Sequence, residues 1–425
     1  MTSGNKQDFL NEVTHQIKSK EAKKFVADEL NHHIKEAKKQ WSVKGLSNQE
    51  AEAKAIEQMG NPTKLGIQMN KLHRPKVDWW LVILLGVSLL LGFLPLMALS
   101  QHGYIGSSIF MQNKVIFVIF GALVAVGIMF IDYRKWQKRG WVFYGLGVFI
   151  LLAIRFFANQ MINGVPRIEI GSLTIENIMA IPLFMLAWAS FFNHAHFKVW
   201  QFIGLFLFPV FLFLAIPSMT SIYIYTIMVF VMLYWSKFSR KTTVTLLSVA
   251  FGSALIISLV LWNYLKVYQK ERLLAFLTPE DFSTTSGYLY LRIEEFLSKA
   301  SWFGSVGRKD FIPAAHTDFV FVTFTYYYGW LLAAALVLIL MLFAVRIIFV
   351  SSKIKDTYGK LLLVGAVALY LAQLATNVAM TLGIFPLVGI SLPFMSYGIM
   401  PTLLNSLLIG VVLSVYRRKD LVVVV

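Results

Sequence analysis

From Trp79 onward the chain is a succession of long apolar runs, and that feature limits its fold more than any other. About 20 apolar residues match the ~30 Å of hydrocarbon in a bilayer, where every backbone N–H and C=O must be paired internally. Ten such runs can be drawn, at about 79–99, 115–131, 141–158, 175–192, 201–216, 220–236, 242–265, 318–350, 361–380 and 396–416. The expected fold class is all-α: a polytopic membrane protein with about ten transmembrane helices. Composition agrees, since 57% of the 425 residues are hydrophobic and the mean hydropathy is +0.65. Cysteine is absent, which excludes disulfide frameworks, thiolate metal sites and thiol nucleophiles.

Residues 1–76 are polar and read as a small cytoplasmic helical domain, with no signal peptide expected ahead of it. Phe9, Val13 and Ile17 share one helical stripe, and Val26, Leu30, Ile34, Ala37 and Trp41 share another. Ser47-Asn48-Gln49-Glu50 is a capping box opening a third helix, which Gly60-Asn61-Pro62 stops. Residues 77–425 form the membrane domain. Its even-numbered connections carry the basic residues: Arg134, Lys135, Lys138 and Arg139, then Lys198, then Lys237, Arg240 and Lys241, then Lys353, Lys355 and Lys360. Arg417, Arg418 and Lys419 follow in the tail. This positive-inside bias predicts that both termini are cytoplasmic. It also explains the net charge of +17 without nucleic acid, for which no motif is present.

One connection is long. Residues 266–317, on the predicted outer side, hold Arg272, Arg292, Lys299, Arg308 and Lys309, and Tyr288, Leu291, Glu295 and Lys299 fall at amphipathic spacing. Such cations either snorkel to headgroups or, taken together, hold an anion such as a phosphate. The connection ends in Pro313-Ala314-Ala315-His316-Thr317-Asp318, which runs straight into an apolar stretch. A carboxylate at the mouth of a membrane helix is a functional candidate. The alternative is an N-cap, with Thr317 or Asp318 accepting from the first free N–H groups of the helix. Asn193-His194-Ala195-His196 has the look of a metal pair but no acid beside it, and no role is assigned to it.

Several segments resemble one family in order and position. Pro313-Ala314-Ala315-His316-Thr317-Asp318-Phe319 matches its "PEHHTDF", and Asn377, Pro386, Gly389, Leu392-Pro393-Phe394 and Ser396-Tyr397-Gly398 match its closing motif. Asn163-Gly164, Arg167, Gly171 and Glu176 match an upstream motif, and Arg272, Pro279, Asp281, Gly287-Tyr288 and Gly304 fit the long loop. Over roughly residues 79–418 the chain resembles the SEDS proteins (shape, elongation, division and sporulation), the RodA, FtsW and SpoVE group of peptidoglycan glycosyltransferases. Residues 1–76 resemble the small helical prefix domains ahead of some bacterial permeases. Departures are visible. Met179 stands where the family has a cavity lysine, Ile216-Pro217-Ser218-Met219-Thr220-Ser221 has lost an acid, and Tyr326-Tyr327-Tyr328-Gly329 replaces "EELG".

The resemblance implies polymerisation of lipid II into glycan strands at the outer face of the bacterial cytoplasmic membrane. Asp318 is the implied general base, which would take a proton from a sugar hydroxyl. Arg167, Arg272 and Arg292 are the implied donors to the lipid pyrophosphate, with Arg308 and Lys309 behind them. Glu176 would orient one of these, and His316, Thr317 and Ser396 would line the substrate site. No protein-built metal site is implied, although a divalent cation, Mg or Mn, could accompany the pyrophosphate. A class B penicillin-binding protein is the implied partner. Two alternatives stay open: a weak or inactive relative that regulates wall synthesis, and a transporter or flippase of lipid-linked precursor.

Overall fold

The computed structural model describes residues 6–104, 106–162, 165–170, 173–263, 267–304 and 313–421. The motif residues Asn163, Gly164 and Gly171 and the cations Arg308 and Lys309 lie outside these residues. The chain divides into two compact units, Met1–Asp78 with Tyr416–Val425, and Trp79–Val415.

In the first unit, α1 (Lys6–His15), α2 (Lys20–Val43), α3 (Asn48–Gln58) and α4 (Pro62–His73) bury most of the expected stripes, with Ala37 only partly buried and Trp41 outside the core. Phe9, Val13, Ile17, Val26, Leu30 and Ile34 meet in one apolar core with Ala22 and Ala55. The caps are local. Ser19 accepts from Ala22 N, Ser47 and Glu50 form the capping box, and Asn61 accepts from Lys64 N ahead of Pro62. The stop at Gly60-Asn61-Pro62 is thus also the start of α4. The sequence boundary placed the tail with the membrane part, whereas the structure groups it with this unit. Leu421 joins the core, and the fully buried Arg418 pairs with Glu21 at 2.8 Å. Lys76 pairs with Asp420 at 2.8 Å.

The second unit is built from α5 (Trp79–Leu91), α6 (Leu94–Gln101), α7 (Ser107–Phe130), α8 (Gly140–Phe157), α9 (Ala180–Asn193), α10 (Val199–Ala215), α11 (Met219–Tyr234) and α12 (Arg240–Trp262). Then follow α13 (Val267–Leu277), α14 (Tyr288–Lys299), α15 (Val320–Tyr328), α16 (Trp330–Ser352), α17 (Thr357–Thr381) and α18 (Ile399–Arg417). Six stretches are long and apolar enough to cross a membrane, and Asn177–Asn193, Val199–Ala215 and Met219–Tyr234 are shorter apolar helices. With α12, these account for all ten apolar runs among the described residues. The protein is a polytopic all-α membrane protein.

Helix α17 is the buried centre, packed against α9, α11 and α16. Small residues let the backbones approach, as membrane helices require where apolar burial alone gives no drive. A Cβ on Gly365 of α17 would lie 2.7 Å from Met185 Cγ of α9. The surfaces of α7, α10 and α12 are apolar and exposed, as expected of faces toward lipid.

Three differences from the sequence expectation matter for the site. The eighth run is not one helix from 318: α15 and α16 are separated at Gly329, whose φ of 87° and ψ of 166° interrupt the helix. A side chain there would run into Trp302 and Gly304 backbone, so only glycine fits. The second run begins earlier than 115 and takes in Lys114. Between α8 and α9 the chain forms a three-stranded antiparallel sheet that hydropathy did not announce: β1 (Gln160–Ile162), β2 (Val165–Ile170) and β3 (Leu173–Ile175). Gln160 pairs with Arg167, and Ile168 pairs with Ile175. In α14 the amphipathic face is also rotated from the expected one. Ile293 and Phe296 are buried, with Leu289 and Leu297 packed alongside, while Tyr288 is exposed.

Candidate functional site

Asp318 lies in a turn spanning 313–319, ahead of α15. The turn closes on itself, with Thr317 N and Phe319 N both donating to Ala314 O at 3.0 and 3.3 Å. Thr323 Oγ1 of α15 donates to Ala315 O at 2.8 Å. Ala314 holds a left-handed φ of 48°, and Phe394, in the loop before α18, holds one of 64°. Among the described residues these are the two non-glycine positions with positive φ. Side chains strain such conformations, which persist where the surroundings over-determine them.

The two strained segments are sewn together. Ser396 Oγ donates to Thr317 O and accepts from Leu392 N, both at 2.8 Å. Tyr397 N donates to His316 O at 2.8 Å. Asn377 of α17 donates through Nδ2 to Asp318 O at 2.9 Å and to Ile390 O at 2.6 Å. Every one of these bonds ends on backbone, so they fix where Asp318 sits while leaving its carboxylate free.

The capping alternative fails on geometry. Helix α15 begins after Phe319 with no side-chain cap, and Thr317 Oγ1 turns back to Ala314 O at 3.3 Å. No described residue donates a hydrogen bond to the Asp318 carboxylate. Its surroundings are set instead by Arg167 of β2 and Glu176, which follows β3. Arg167 Nη1 donates to Glu176 Oε1 at 2.7 Å, with both side chains largely buried. Burial first, then the Glu176 charge, pushes the Asp318 pKa from 3.8 up to about 6, while Arg167 pulls it down. Glu176 is raised as well, by burial, against the pull of Arg167. Gly389 borders the same carboxylate, since a Cβ there would meet Asp318 Oδ2 at 3.6 Å.

The structure therefore brings Arg167, Glu176 and Asp318 into one electrostatic group. His316, Thr317 and Ser396 belong to the seam beneath it. The His316 ring stacks on Phe110 at 4.5 Å and meets Tyr397 at 5.5 Å, and burial lowers its pKa. The two loop arginines are placed elsewhere. Arg292 Nη1 donates to Glu295 at 2.5 Å and lies over the Phe296 ring. Arg272, on α13, is exposed, and its charge acts on Tyr290, whose hydroxyl accepts from Leu387 N at 2.9 Å. Among the described residues no three His, Asp or Glu side chains gather to hold a metal.

Sequence reasoning missed Lys114, placing it on the flank of a helix that in fact encloses it. Its ammonium donates to Gly92 O at 2.7 Å and to Met395 O at 2.5 Å. A helix start moved back to Ser107 would have shown it two turns inside.

The sequence signature of the FtsW, RodA and SpoVE group, described as cell cycle protein, matches residues 76–421. The chain belongs to the FtsW/RodA/SpoVE family. A relative from Nitrosomonas europaea, "Probable peptidoglycan glycosyltransferase FtsW", is 24% identical over 372 residues, covering 81% of this chain and 94% of that one. "Peptidoglycan glycosyltransferase MrdB" of Helicobacter pylori is 27% identical over 310 residues, covering 68% and 80%. The fold is shared with a chain of a peptidoglycan synthase complex of polymerization and crosslinking, at a TM-score of 0.69 and 24% identity over 81% of this chain and 98% of that one. The rod shape determining protein RodA of Thermus thermophilus gives a TM-score of 0.59 at 20% identity over 81% and 97%. As a member of the FtsW/RodA/SpoVE family the protein is a multi-pass protein of the bacterial membrane.

Proposed function

We propose that this protein is a peptidoglycan glycosyltransferase that polymerises lipid II, with Asp318 as general base. The observation that carries the reading is the Asp318 carboxylate: held by its backbone, accepting no hydrogen bond from a described residue, and raised to about 6 beside the Arg167–Glu176 pair. A base works best when its pKa lies near the operating pH and its lone pairs are not committed elsewhere. Asp318 takes the proton of the acceptor sugar hydroxyl as that oxygen bonds to the donor's anomeric carbon. The bond from that carbon to the pyrophosphate oxygen breaks, and the leaving group carries the electron pair away. Arg167 is the residue of the group able to face that developing charge. Its Nε is buried and has no partner among the described residues, so it keeps a donor for an incoming oxygen.

A divalent cation, Mg or Mn, fits the donor set without an all-protein cage. Asp318 and Glu176 supply two carboxylates against one guanidinium, and Mg²⁺ is commonly held by one or two carboxylates plus substrate phosphates. When bound, such a cation neutralises pyrophosphate charge. The positive-inside pattern supports cytoplasmic termini and an outward-facing site, with the connection that carries α13 and α14 on the outer side. A class B penicillin-binding protein is the partner we propose, in keeping with the likeness to a chain of a peptidoglycan synthase complex.

The test is full-length protein with labelled lipid II, alone and with a transpeptidase partner, with glycan strands resolved by length. Polymer from wild type and a rate lower by about 10²–10⁴-fold in Asp318→Asn support the reading. A wild type that binds lipid II but makes no polymer under either condition marks a regulator. Movement of lipid II across vesicles without polymer marks a flippase.

A further inference from the structure

Lys114 is 3% exposed and lies within the apolar stretch Ser108–Phe130. An ammonium there is costly to bury unless its protons are taken up, and such residues usually face a functional pathway. Among the described residues no carboxylate meets it. Its Nζ donates to two backbone carbonyls from separate elements, Gly92 at the break between α5 and α6 and Met395 in the loop before α18. Both carbonyls lie where no regular helix continues, so a donor must come from elsewhere.

The same face of α7 grips the loop again. Asn113 Nδ2 donates to the Tyr397 hydroxyl at 3.2 Å, and Phe110 and Phe117 pack on the Tyr397 ring at 5.0 and 5.7 Å. Met395 stands between Phe394, with its left-handed φ, and Ser396, which donates to Thr317 O. A chain of polar bonds thus runs from Lys114 through Met395 and Ser396 to Thr317, the neighbour of Asp318.

We propose that Lys114 is a positioning residue for glycosyl transfer, clamping the 394–397 loop to the break at Gly92 and thereby fixing the turn that carries Asp318. The inference rests on the reading of Asp318 as the base. Displacing a catalytic group by about 1 Å can cost about 10²-fold in rate even when the altered residue is remote. A residue that acts through the base alters turnover rather than substrate affinity.

Full-length Lys114→Met, Lys114→Arg, Asp318→Asn and Lys114→Met/Asp318→Asn proteins are assayed for polymerisation of labelled lipid II, with thermal stability measured alongside. Lys114→Met keeps the length and apolar stem of the side chain but donates to neither carbonyl. Its kcat should fall about 10- to 100-fold with KM within about threefold of wild type. Lys114→Arg should recover most of that loss, since a cavity of about 40 Å³ adjoins the residue. In the Asp318→Asn background, Lys114→Met should cost nothing more, because two residues on one chain of contacts are not additive. Should Lys114→Met fail to fold, Ser396→Ala cuts the same chain one bond later, and it must show the same selective loss of kcat. A wild-type rate for Lys114→Met, or for Ser396→Ala in its place, overturns the proposal. So does an additive loss in the double variant. A fully active Asp318→Asn instead overturns the base, a result read from that single variant alone.

Discussion

Asp318 and Glu295 are carboxylates of neighbouring segments, one in the turn before α15 and one on α14, and their surroundings are opposite. Glu295 is clamped by Lys299 and by Arg292, each at 2.5 Å, and these bonds hold its pKa below the usual range. Asp318 accepts no bond from a described residue, and burial with the nearby Glu176 raises it to about 6. A carboxylate with both oxygens occupied is a weak base committed to its own helix. One kept partly dry and unoccupied is held ready to accept a proton. The cations divide in the same way: Arg292 and Lys299 serve α14, while Arg167 serves the group around Asp318.

The largest way to break this contrast is Asp318→Asn. General-base assistance is typically worth about 10²–10⁴ in rate, and polymer formation should fall by that order. Thermal stability should hold, because the carboxylate neither caps α15 nor accepts a hydrogen bond within the described structure. An equal loss of rate and of folded protein would show that Asp318 is structural.

A pH profile sharpens the contrast. The base must be ionised, so polymerisation should decline about tenfold per unit as pH falls below about 6. An ordinary aspartate would remain active to near 3.8. Stability carries the opposite sign. The folded-state pKa lies above the unfolded one, so the contribution of protonated Asp318 is present below 3.8 and is lost as pH rises through about 6. An acid limb near 4 would remove the proposed poise.

Glu176→Gln should shift that limb without abolishing activity. The Glu176 charge raises Asp318, so its removal should move the acid limb to lower pH. Arg167→Met should move it higher and also slow turnover, because Arg167 pulls Asp318 down and faces the leaving group in the proposed reaction. Profiles measured on the two variants that move in the same direction would separate this group from catalysis.

The smallest effect belongs to Glu295→Gln. Exposed ion pairs contribute little, so rate and thermal stability should stay within about twofold and a degree or two of wild type. A large loss of polymerisation here would place the α14 cations back at the reaction centre.

Ten apolar runs, the two stripes of the first unit and the Ser47–Glu50 cap were all legible in the sequence. Each is a local property: hydropathy over about 20 residues, a 3–4-residue spacing, or a contact within one turn. The sheet at 160–175 was not, because its strands are only three to six residues long and the alternation in Arg167-Ile168-Glu169-Ile170 is too brief to announce it. The break at Gly329 was hidden inside an unbroken apolar run, and only the backbone at Trp302 and Gly304 excludes a side chain there. Asp318 could be nominated from its position at a helix mouth, yet sequence left it undecided between cap and base. The tertiary structure removed the cap, by starting α15 after Phe319, and brought Arg167 and Glu176 beside the carboxylate. The bonds that hold the turn come from residues far along the chain. Asn377 reaches Asp318 across 59 positions, and Lys114 reaches Met395 across 281. No local pattern encodes such pairs, since a lysine in an apolar helix reads the same whether it meets lipid headgroups or two buried carbonyls. Only the folded chain says which.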